Sequence, residues 1–118
     1  MISLEGIARP KVLVRPCLLL VLGEAPGHGY DLVNRLGALG FTWNGGPGGI
    51  YEHLRTMEQA SLLHSTISTS GAGPARRVYE LSTDGRQMLD LAAVSVSRLS
   101  ELVVKFLDRY EHQADPKP

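Results

Sequence analysis

A short continuous apolar run, Cys17 to Leu22, is followed by two segments in which apolar residues recur every three to four positions, the spacing that places them on one face of a helix. This pattern predicts a first helix from about Pro16 to Leu22, with an earlier turn around Lys11 to Val14. Proline is tolerated in the first turn of a helix, because the N–H it lacks would have no partner there. A second helix is predicted over about His28 to Ala38, and a third over about Gly49 to Ala60.

Two of these helices have a predicted buried face. The second helix carries Tyr30, Val33 and either Leu36 or Gly37 along one side. The inward stripe of the third helix consists of Ile50, Leu54 and Met57, extended by Ser61. The glycine-rich residues 40–49 between the two helices are predicted to form a connecting turn.

After the third helix the spacing changes from helical to extended. Residues 62–68 and 76–81 are typical of strands, and the Gly/Ser/Pro-rich residues 69–75 lie between them. Together they predict a β-hairpin with a flexible tip.

A long final helix is predicted up to about His112, with Ser82 or Thr83 as its cap and Asp84 in its first turn. Its apolar residues alternate at spacings of four and three, the pattern of a helix seam, at Met88, Ala92, Ser95, Leu99, Leu102 and Phe106. A neighbouring stripe contains Leu89, Val96, Val103 and Tyr110. One stripe is expected to cover the chain's own domain and the other to meet a second copy, which predicts a homodimer.

The order helix, helix, helix, hairpin, helix predicts a mainly α protein with a small β-hairpin (α+β), in the arrangement of a winged helix-turn-helix. The predicted division is an N-terminal arm (1–15), a winged helix-turn-helix DNA-binding domain (16–82), a C-terminal dimerisation helix (83–112) and a disordered tail (113–118).

Composition adds limits to this picture. The chain has 118 residues, and its 12 basic residues balance 12 acidic residues, so the formal net charge is zero. Hydrophobic residues make up 43% of the chain, which excludes an intrinsically disordered protein. A neutral chain argues mildly against a nucleic-acid or membrane partner. The hairpin is nevertheless locally basic, because no acidic residue lies between Glu58 and Glu80.

The single cysteine, Cys17, excludes an intramolecular disulfide and a cysteine-rich zinc site, and it fits a cytoplasmic protein. The longest apolar run, Cys17 to Leu22, is far too short for a membrane helix. A secretory signal is disfavoured by Pro16 at the start of this run and by Glu24 after it. We therefore predict a buried helix, in which Cys17 packs rather than acts as a redox sensor.

Side chains suited to DNA contact occur in three places: His28 and Tyr30 at the start of the second helix, Tyr51, His53 and Arg55 on the third, and Arg76 and Arg77 after the hairpin tip. A helix N-terminus and tyrosine hydroxyls suit phosphate, and arginine suits phosphate, a guanine edge or a narrow minor groove. Each place also has an interpretation without DNA. In that interpretation Tyr30 packs against the core and His28 only forms a turn, the third helix presents a solvated face, and Arg77 packs at the base of the hairpin, the wing of a winged helix. The N-terminal arm is basic because it contains Arg9, Lys11 and Arg15. It is expected either to lie along the DNA backbone or to be an ordinary terminus without a partner.

No motif for an enzyme or a cofactor is found. The run Gly45 to Gly49 lacks the lysine and hydroxyl residue that end a P-loop. The four histidines and Cys17 show no zinc-ligand spacing, and no catalytic triad is supported. We therefore predict neither catalysis nor a metal or cofactor.

Four motifs in order resemble the PadR family of bacterial transcriptional regulators: an apolar helix followed by Glu24-Ala-Pro and His28-Gly-Tyr30, then Pro47-Gly-Gly-Ile-Tyr51, then Leu54-Arg55 with Met57-Glu58, and finally Gly73-Pro-Ala-Arg with Tyr79-Glu-Leu-Ser-Thr-Asp-Gly85. The resemblance covers residues 17–110. It implies a winged helix that binds operator DNA as a dimer, in the short form with one C-terminal helix.

The chain departs from the family pattern at three points. Gly49 stands where the family has threonine, Glu52 where it has proline, and Ala60-Ser61 where it has Glu-Gly. Because some short members bind flat hydrophobic drugs between their subunits, the resemblance also implies a small hydrophobic effector. The sequence provides Phe106 and Tyr110 in the last helix for such a ligand, while its one tryptophan, Trp43, lies in the connector.

The sequence thus predicts a dimeric DNA-binding regulator, most readily a repressor, with operator DNA as its partner and no membrane association. A winged-helix adaptor that binds protein through the same surface is the alternative, because Glu52 and Glu58 oppose DNA binding. A small-molecule-binding protein without DNA activity is a third hypothesis. The salt dependence of binding distinguishes the DNA-binding regulator from the protein-binding adaptor, because binding to phosphates weakens steeply as the salt concentration rises.

Overall fold

The computed structural model of the protein describes residues 11–41, 48–69, 71 and 73–114. A 3-10 turn over Lys11–Leu13 leads into the first of four helices. The helices are α1 (Val14–Glu24), α2 (Gly29–Ala38), α3 (Gly48–Gln59) and α4 (Thr83–Ala114). The strands are β1 (Gly27–His28), β2 (Leu63–Ser68) and β3 (Arg76–Leu81). The mainly α fold with a small hairpin is confirmed. Predictions for residues 1–10, 42–47 and 115–118, which include Arg9 and Trp43, fall outside the described residues.

Two helices extend two residues beyond their predicted bounds. Helix α1 begins at Val14 rather than at about Pro16, and the 3-10 turn over Lys11–Leu13 agrees with the turn predicted before it. Pro16 is still within its first turn, where backbone N–H groups have no intrahelical partner. Helix α4 continues to Ala114, two residues beyond the predicted end, so the first two residues of the predicted tail are helical.

The hairpin belongs to a three-stranded antiparallel sheet in the order β1-β3-β2. Tyr79 in the central strand pairs with Gly27 on one side and with Ser65 on the other. Strand β1 was not predicted, because two residues of sequence Gly-His carry no β pattern. Its pairing fixes the start of α2 against the hairpin.

The core lies where the first three helices meet the sheet. Its buried residues are Val14, Leu18, Leu19, Val21 and Leu22 from α1, Leu32 and Leu36 from α2, Ile50, Leu54 and Met57 from α3, Leu63 from β2 and Tyr79 from β3. The predicted inward stripe of α3 is confirmed for its first three residues. It is wrong for Ser61, which is exposed and follows the helix in the left-handed conformation (φ 64°).

The buried face of α2 differs from the predicted one. Leu32 and Leu36 are fully buried, whereas Tyr30 is 65% exposed. Val33 is only partly buried against the core. The two leucines are four residues apart and therefore share one side of the helix, and this rotates Tyr30 out towards solvent.

Two arginines close the C-terminal end of α1. Arg35 of α2 donates from Nη1 to the carbonyl oxygen of Ala25 at 3.1 Å and from Nη2 to that of Val21. Arg86 of α4 donates from Nη2 to the carbonyl oxygen of Gly23 at 3.2 Å. The last carbonyls of a helix lack intrahelical partners and carry partial negative charge, so these cations stabilise the helix end. They also join α1 to α2 and α4.

Helix α4 begins on the core and then leaves it. Ser82 is its cap, since its Oγ accepts a hydrogen bond from the backbone N–H of Gly85 at 3.0 Å. Leu89 and Ala92 pack against the core. Beyond Ala92 every described side chain of the helix is exposed. Its 32 residues span about 48 Å at 1.5 Å per residue, roughly two thirds of the 69 Å long axis of the molecule.

Candidate nucleic-acid interface

The side of α3 opposite the core is exposed to solvent. With 100° of rotation per residue, the positions farthest from the buried stripe are those of Glu52, Arg55, Thr56 and Gln59, all of which are exposed. Arg55 was predicted to lie on this face. Thr56 and Gln59 were not named in the sequence analysis, although the same helical rotation would have identified them. The four residues form what we call the outer face of α3.

Tyr51 lies at the edge of this face, against the start of α2. Its ring packs on the backbone of Gly29, where a Cβ atom would overlap the ring and its hydroxyl. Any side chain at residue 29 would therefore displace the tyrosine. The ring remains 41% exposed, so its hydroxyl stays available to a ligand. This contact gives a physical reason for the glycine between His28 and Tyr30.

His28 caps α2 and also contacts the wing, the β-hairpin formed by β2 and β3. Its Nδ1 accepts a hydrogen bond from the backbone N–H of Asp31 at 3.1 Å, and its Nε2 lies 3.0 Å from Nη1 of Arg76. A neutral imidazole has one acceptor nitrogen and one N–H. If Nδ1 accepts from the helix, Nε2 carries the hydrogen and cannot also accept from the guanidinium. In that tautomer the exposed guanidinium of Arg76 donates no hydrogen bond to the ring, and its N–H groups remain available to an anion.

A concavity of about 490 Å³ opens between α2, α3 and the wing. Its lining residues are His28, Gly29, Tyr30, Tyr51, Arg76, Arg77 and Tyr79. They include two guanidinium groups and three phenol hydroxyls, beside the N-terminus of α2, and no carboxylate is among them. A phosphate is the type of group that such a lining suits.

The adjacent arginines of the wing project from opposite faces of the sheet, as neighbouring residues of a strand do. Arg77 lies on the face turned towards α3, where its Nη1 donates to Oγ of Ser65 at 3.0 Å. The Ser65 hydroxyl in turn donates to Oε2 of Glu58 at 2.6 Å. Arg77 is thus tied to a carboxylate through one hydroxyl, while Arg76 faces His28.

His53 points to another side of α3 from Tyr51. Its Nδ1 accepts a hydrogen bond from Nε of Arg15 at 3.0 Å, which joins α1 to α3. Burial and the positive charge of Arg15 lower the pKa of His53 below its ordinary 6.5, while Glu52 raises it by less. Arg15 and His53 were both predicted as possible DNA contacts, yet here each engages the other.

Burial also affects two groups beside the core. It raises the pKa of the Tyr79 phenol, against the opposing charges of Arg77 and Arg55, so this hydroxyl stays a hydrogen-bond donor. It raises the pKa of the Cys17 thiol as well, and a partly buried thiol with few thiolate ions is a poor redox sensor. Tyr79 was not predicted as a site residue, because its strand pattern alone gives it a packing role.

The predicted dimerisation residues divide into two groups. Ala92 packs against the chain's own core. Exposed apolar side chains are Met88, Leu99, Leu102, Val103, Phe106 and Tyr110, joined by Leu91, Val94, Val104 and Leu107, which were not named. Phe106 is 67% exposed and Leu102 is 63% exposed. The helix therefore leaves a long apolar surface uncovered in one chain.

No group of three or more histidine, cysteine or acidic side chains among the described residues is arranged to hold a metal ion. Within the same residues, no helix is long and apolar enough to cross a membrane.

Residues 18–91, more than half of the chain, match the transcriptional regulator PadR-like family. The chain belongs to this family. Its members with similar solved structures are transcriptional regulators and not enzymes, and the resemblance drawn from the four sequence motifs is confirmed. No curated protein matches the PadR-like chain in sequence.

Solved structures share the fold of this PadR-like protein. A PadR-like transcriptional regulator from Bacillus cereus is 29% identical with a TM-score of 0.73, over 82% of this chain and 93% of that one. A Streptococcus transcriptional regulator is 27% identical with a TM-score of 0.71, over 81% and 93%. PadR from Bacillus subtilis, solved in complex with operator DNA, is 22% identical with a TM-score of 0.58, over 66% and 45%, and this likeness concerns the fold alone.

Proposed function

We propose that this PadR-like protein binds double-stranded operator DNA as a homodimer and represses transcription by occluding the operator. The observation that carries the proposal is the convergence of donors on one side of the winged helix. Arg76 and Arg77 on the wing line a concavity with no carboxylate in its lining, and Arg55 on α3 is exposed next to Arg77, where Glu58 also lies. The operator complex of Bacillus subtilis PadR adds support from a protein of the same fold.

In this proposal α3 is the recognition helix and enters the major groove, and the wing contacts the backbone or an adjacent minor groove. Tyr30, Tyr51 and His28 bind phosphate near the start of α2. Arg77 assists from the inner face of the wing, where Ser65 already orients it. His53 acts indirectly, because its bond to Arg15 holds α3 against α1.

The homodimer forms through the exposed part of α4. Its apolar side chains, from Leu99 to Tyr110, have no cover in one chain and are suited to a partner helix. Two recognition helices related by a two-fold axis would then meet successive turns of the groove. The distance between them depends on how the two α4 helices cross.

We further propose that a small hydrophobic effector modulates the operator affinity by binding beside α4. Phe106 and Tyr110 are exposed and one turn apart, so both rings can contact the same flat molecule. An effector changes DNA affinity only if it binds the two dimer geometries with different affinities. Its binding site and the DNA site are then thermodynamically linked.

The test measures binding of a labelled duplex from the promoter region beside the protein's own gene, by fluorescence anisotropy at several salt concentrations. We expect Arg55→Ala and Arg76→Ala to weaken binding about 5- to 150-fold where the side chain contacts a base, and by less where it contacts only phosphate. Arg98→Ala is the matched control, since it removes an exposed arginine from α4. Absence of wild-type binding at low salt would refute the DNA proposal.

A protein-binding adaptor is the second candidate, favoured by the two carboxylates on α3, Glu52 and Glu58, and by the zero net charge. It predicts a partner that stays bound as salt rises, because an apolar contact releases no counterions. The same salt series therefore separates the two candidates.

A further inference from the structure

Glu52 lies on the outer face of α3, in the second turn of the helix, and its side chain is exposed. The N-terminal residues of a recognition helix are those that approach base edges in the major groove. If α3 enters the groove as proposed above, the carboxylate of Glu52 is directed at the bases.

Three other acidic side chains of the winged helix are already engaged. Glu58 accepts a hydrogen bond from Ser65, Asp31 pairs with Arg35 at 3.4 Å, and Glu80 lies 3.3 Å from His64. Across the described part of the chain, by contrast, the carboxylate of Glu52 takes part in no hydrogen bond or salt bridge.

An unpaired carboxylate is repelled by phosphates, so its attraction to DNA depends on a donor at a base edge. The major groove presents two such donors, the N4 amino group of cytosine and the N6 amino group of adenine. Adenine also presents the N7 acceptor beside its amino group, which repels a carboxylate. Cytosine presents the amino donor without an acceptor on the same base.

We propose that Glu52 determines sequence specificity by accepting a hydrogen bond from the N4 amino group of a cytosine in each operator half-site. This inference rests on the proposed DNA-binding function. Removing the carboxylate charge while keeping the side-chain shape, as in Glu52→Gln, changes the base that is preferred. Glutamine has both a donor and an acceptor and matches adenine N6 and N7.

The experiment selects bound duplexes from a randomised pool with the wild-type protein, and then measures affinities for the selected duplex and for its three single-base variants at each position. We expect one position per half-site at which wild type prefers cytosine about 5- to 150-fold. Glu52→Gln loses this preference and gains affinity for adenine at the same position. Glu101→Gln, which removes an exposed carboxylate from α4, keeps the wild-type preference.

Two results would overturn the inference, and they are distinguishable. If Glu52→Gln selects the same bases as wild type and binds every duplex more tightly, Glu52 only repels phosphate, and the proposed DNA binding still stands. If wild type binds no duplex of the pool at low salt, the proposed function fails and the inference fails with it. Circular dichroism of each variant verifies the fold.

Discussion

Ser61→Gly is expected to stabilise the protein, although Ser61 touches no ligand. The residue follows α3 with a φ of 64°, in the left-handed region that residues with a Cβ adopt at a cost of about 1–2 kcal/mol. Glycine adopts it freely, but loses about 0.5–1 kcal/mol more conformational freedom on folding. The difference predicts a gain of about 0.5–1 kcal/mol in the free energy of unfolding.

The surrounding hydrogen bonds are unaffected by this change. The backbone N–H of Ser61 donates to the carbonyl oxygen of Glu58 at 3.0 Å, and its own carbonyl accepts from Oγ of Ser82 at 2.6 Å. Both involve the backbone of residue 61, which glycine retains. The serine side chain is exposed, and no hydrogen bond from it to another described residue is found.

The assay is urea unfolding followed by circular dichroism at a fixed protein concentration, because the stability of a dimer depends on concentration. In a thermal unfolding experiment, the same gain in the free energy of unfolding raises Tm by about 2–5 °C for a chain of this length. Ser97→Gly is the matched control: the same substitution within exposed α4 should destabilise by about 0.5 kcal/mol. The reasoning is refuted if Ser61→Gly lowers the stability while the control behaves as expected.

Two further predictions concern the dimer and pH. Leu102→Glu places a charge at an exposed apolar position of α4, so it should convert the proposed dimer to a monomer and weaken the proposed DNA binding. Ser100→Glu should do neither, and a Leu102→Glu variant that is dimeric in analytical ultracentrifugation would contradict the proposed α4 interface. The pKa of His53 is lower in the folded protein than the 6.5 of the unfolded chain, so the unfolded chain takes up a proton first as pH falls. The free energy of unfolding therefore decreases as the pH falls from about 6.5 through the folded pKa. His53→Gln should reduce this loss in urea unfolding at pH 7.5 and 5.5, and an unchanged loss would count against the Arg15–His53 contact.

Local pattern predicted most of the fold, because its elements are set by periodicity and turn chemistry. The stripe of Ile50, Leu54 and Met57 and the limits of β3 are as the sequence indicated. Strand β1 could not be predicted from its own two residues, since it exists only through pairing with β3. Tyr30 was wrongly given a buried face because Leu32 and Leu36 compete for the same core and are better matched to it.

The candidate site was predictable as a list of residue types but not as a set of contacts. The contact between Arg15 and His53 joins residues 38 positions apart, and that between Arg76 and His28 joins residues 48 positions apart. No local periodicity encodes such contacts. The outer face of α3, by contrast, follows from helical rotation alone, so Thr56 and Gln59 are predictable from the sequence.

The net charge of zero does not show which arginines can contact DNA, whereas the hydrogen-bond partners of the arginines do. Arg35 and Arg86 are bound to carbonyl oxygens at the end of α1, so their side chains are held at the helix end rather than extended towards a phosphate. Arg15 is bonded to His53, and Arg77 to Ser65. Arg55 and Arg76 are therefore the arginines of the winged helix best able to reach phosphate. Because 12 acidic residues balance the 12 basic ones, affinity for arbitrary DNA should be weak. In the proposed complex, discrimination then depends on the geometry of the proposed dimer and on base contacts such as the one proposed for Glu52.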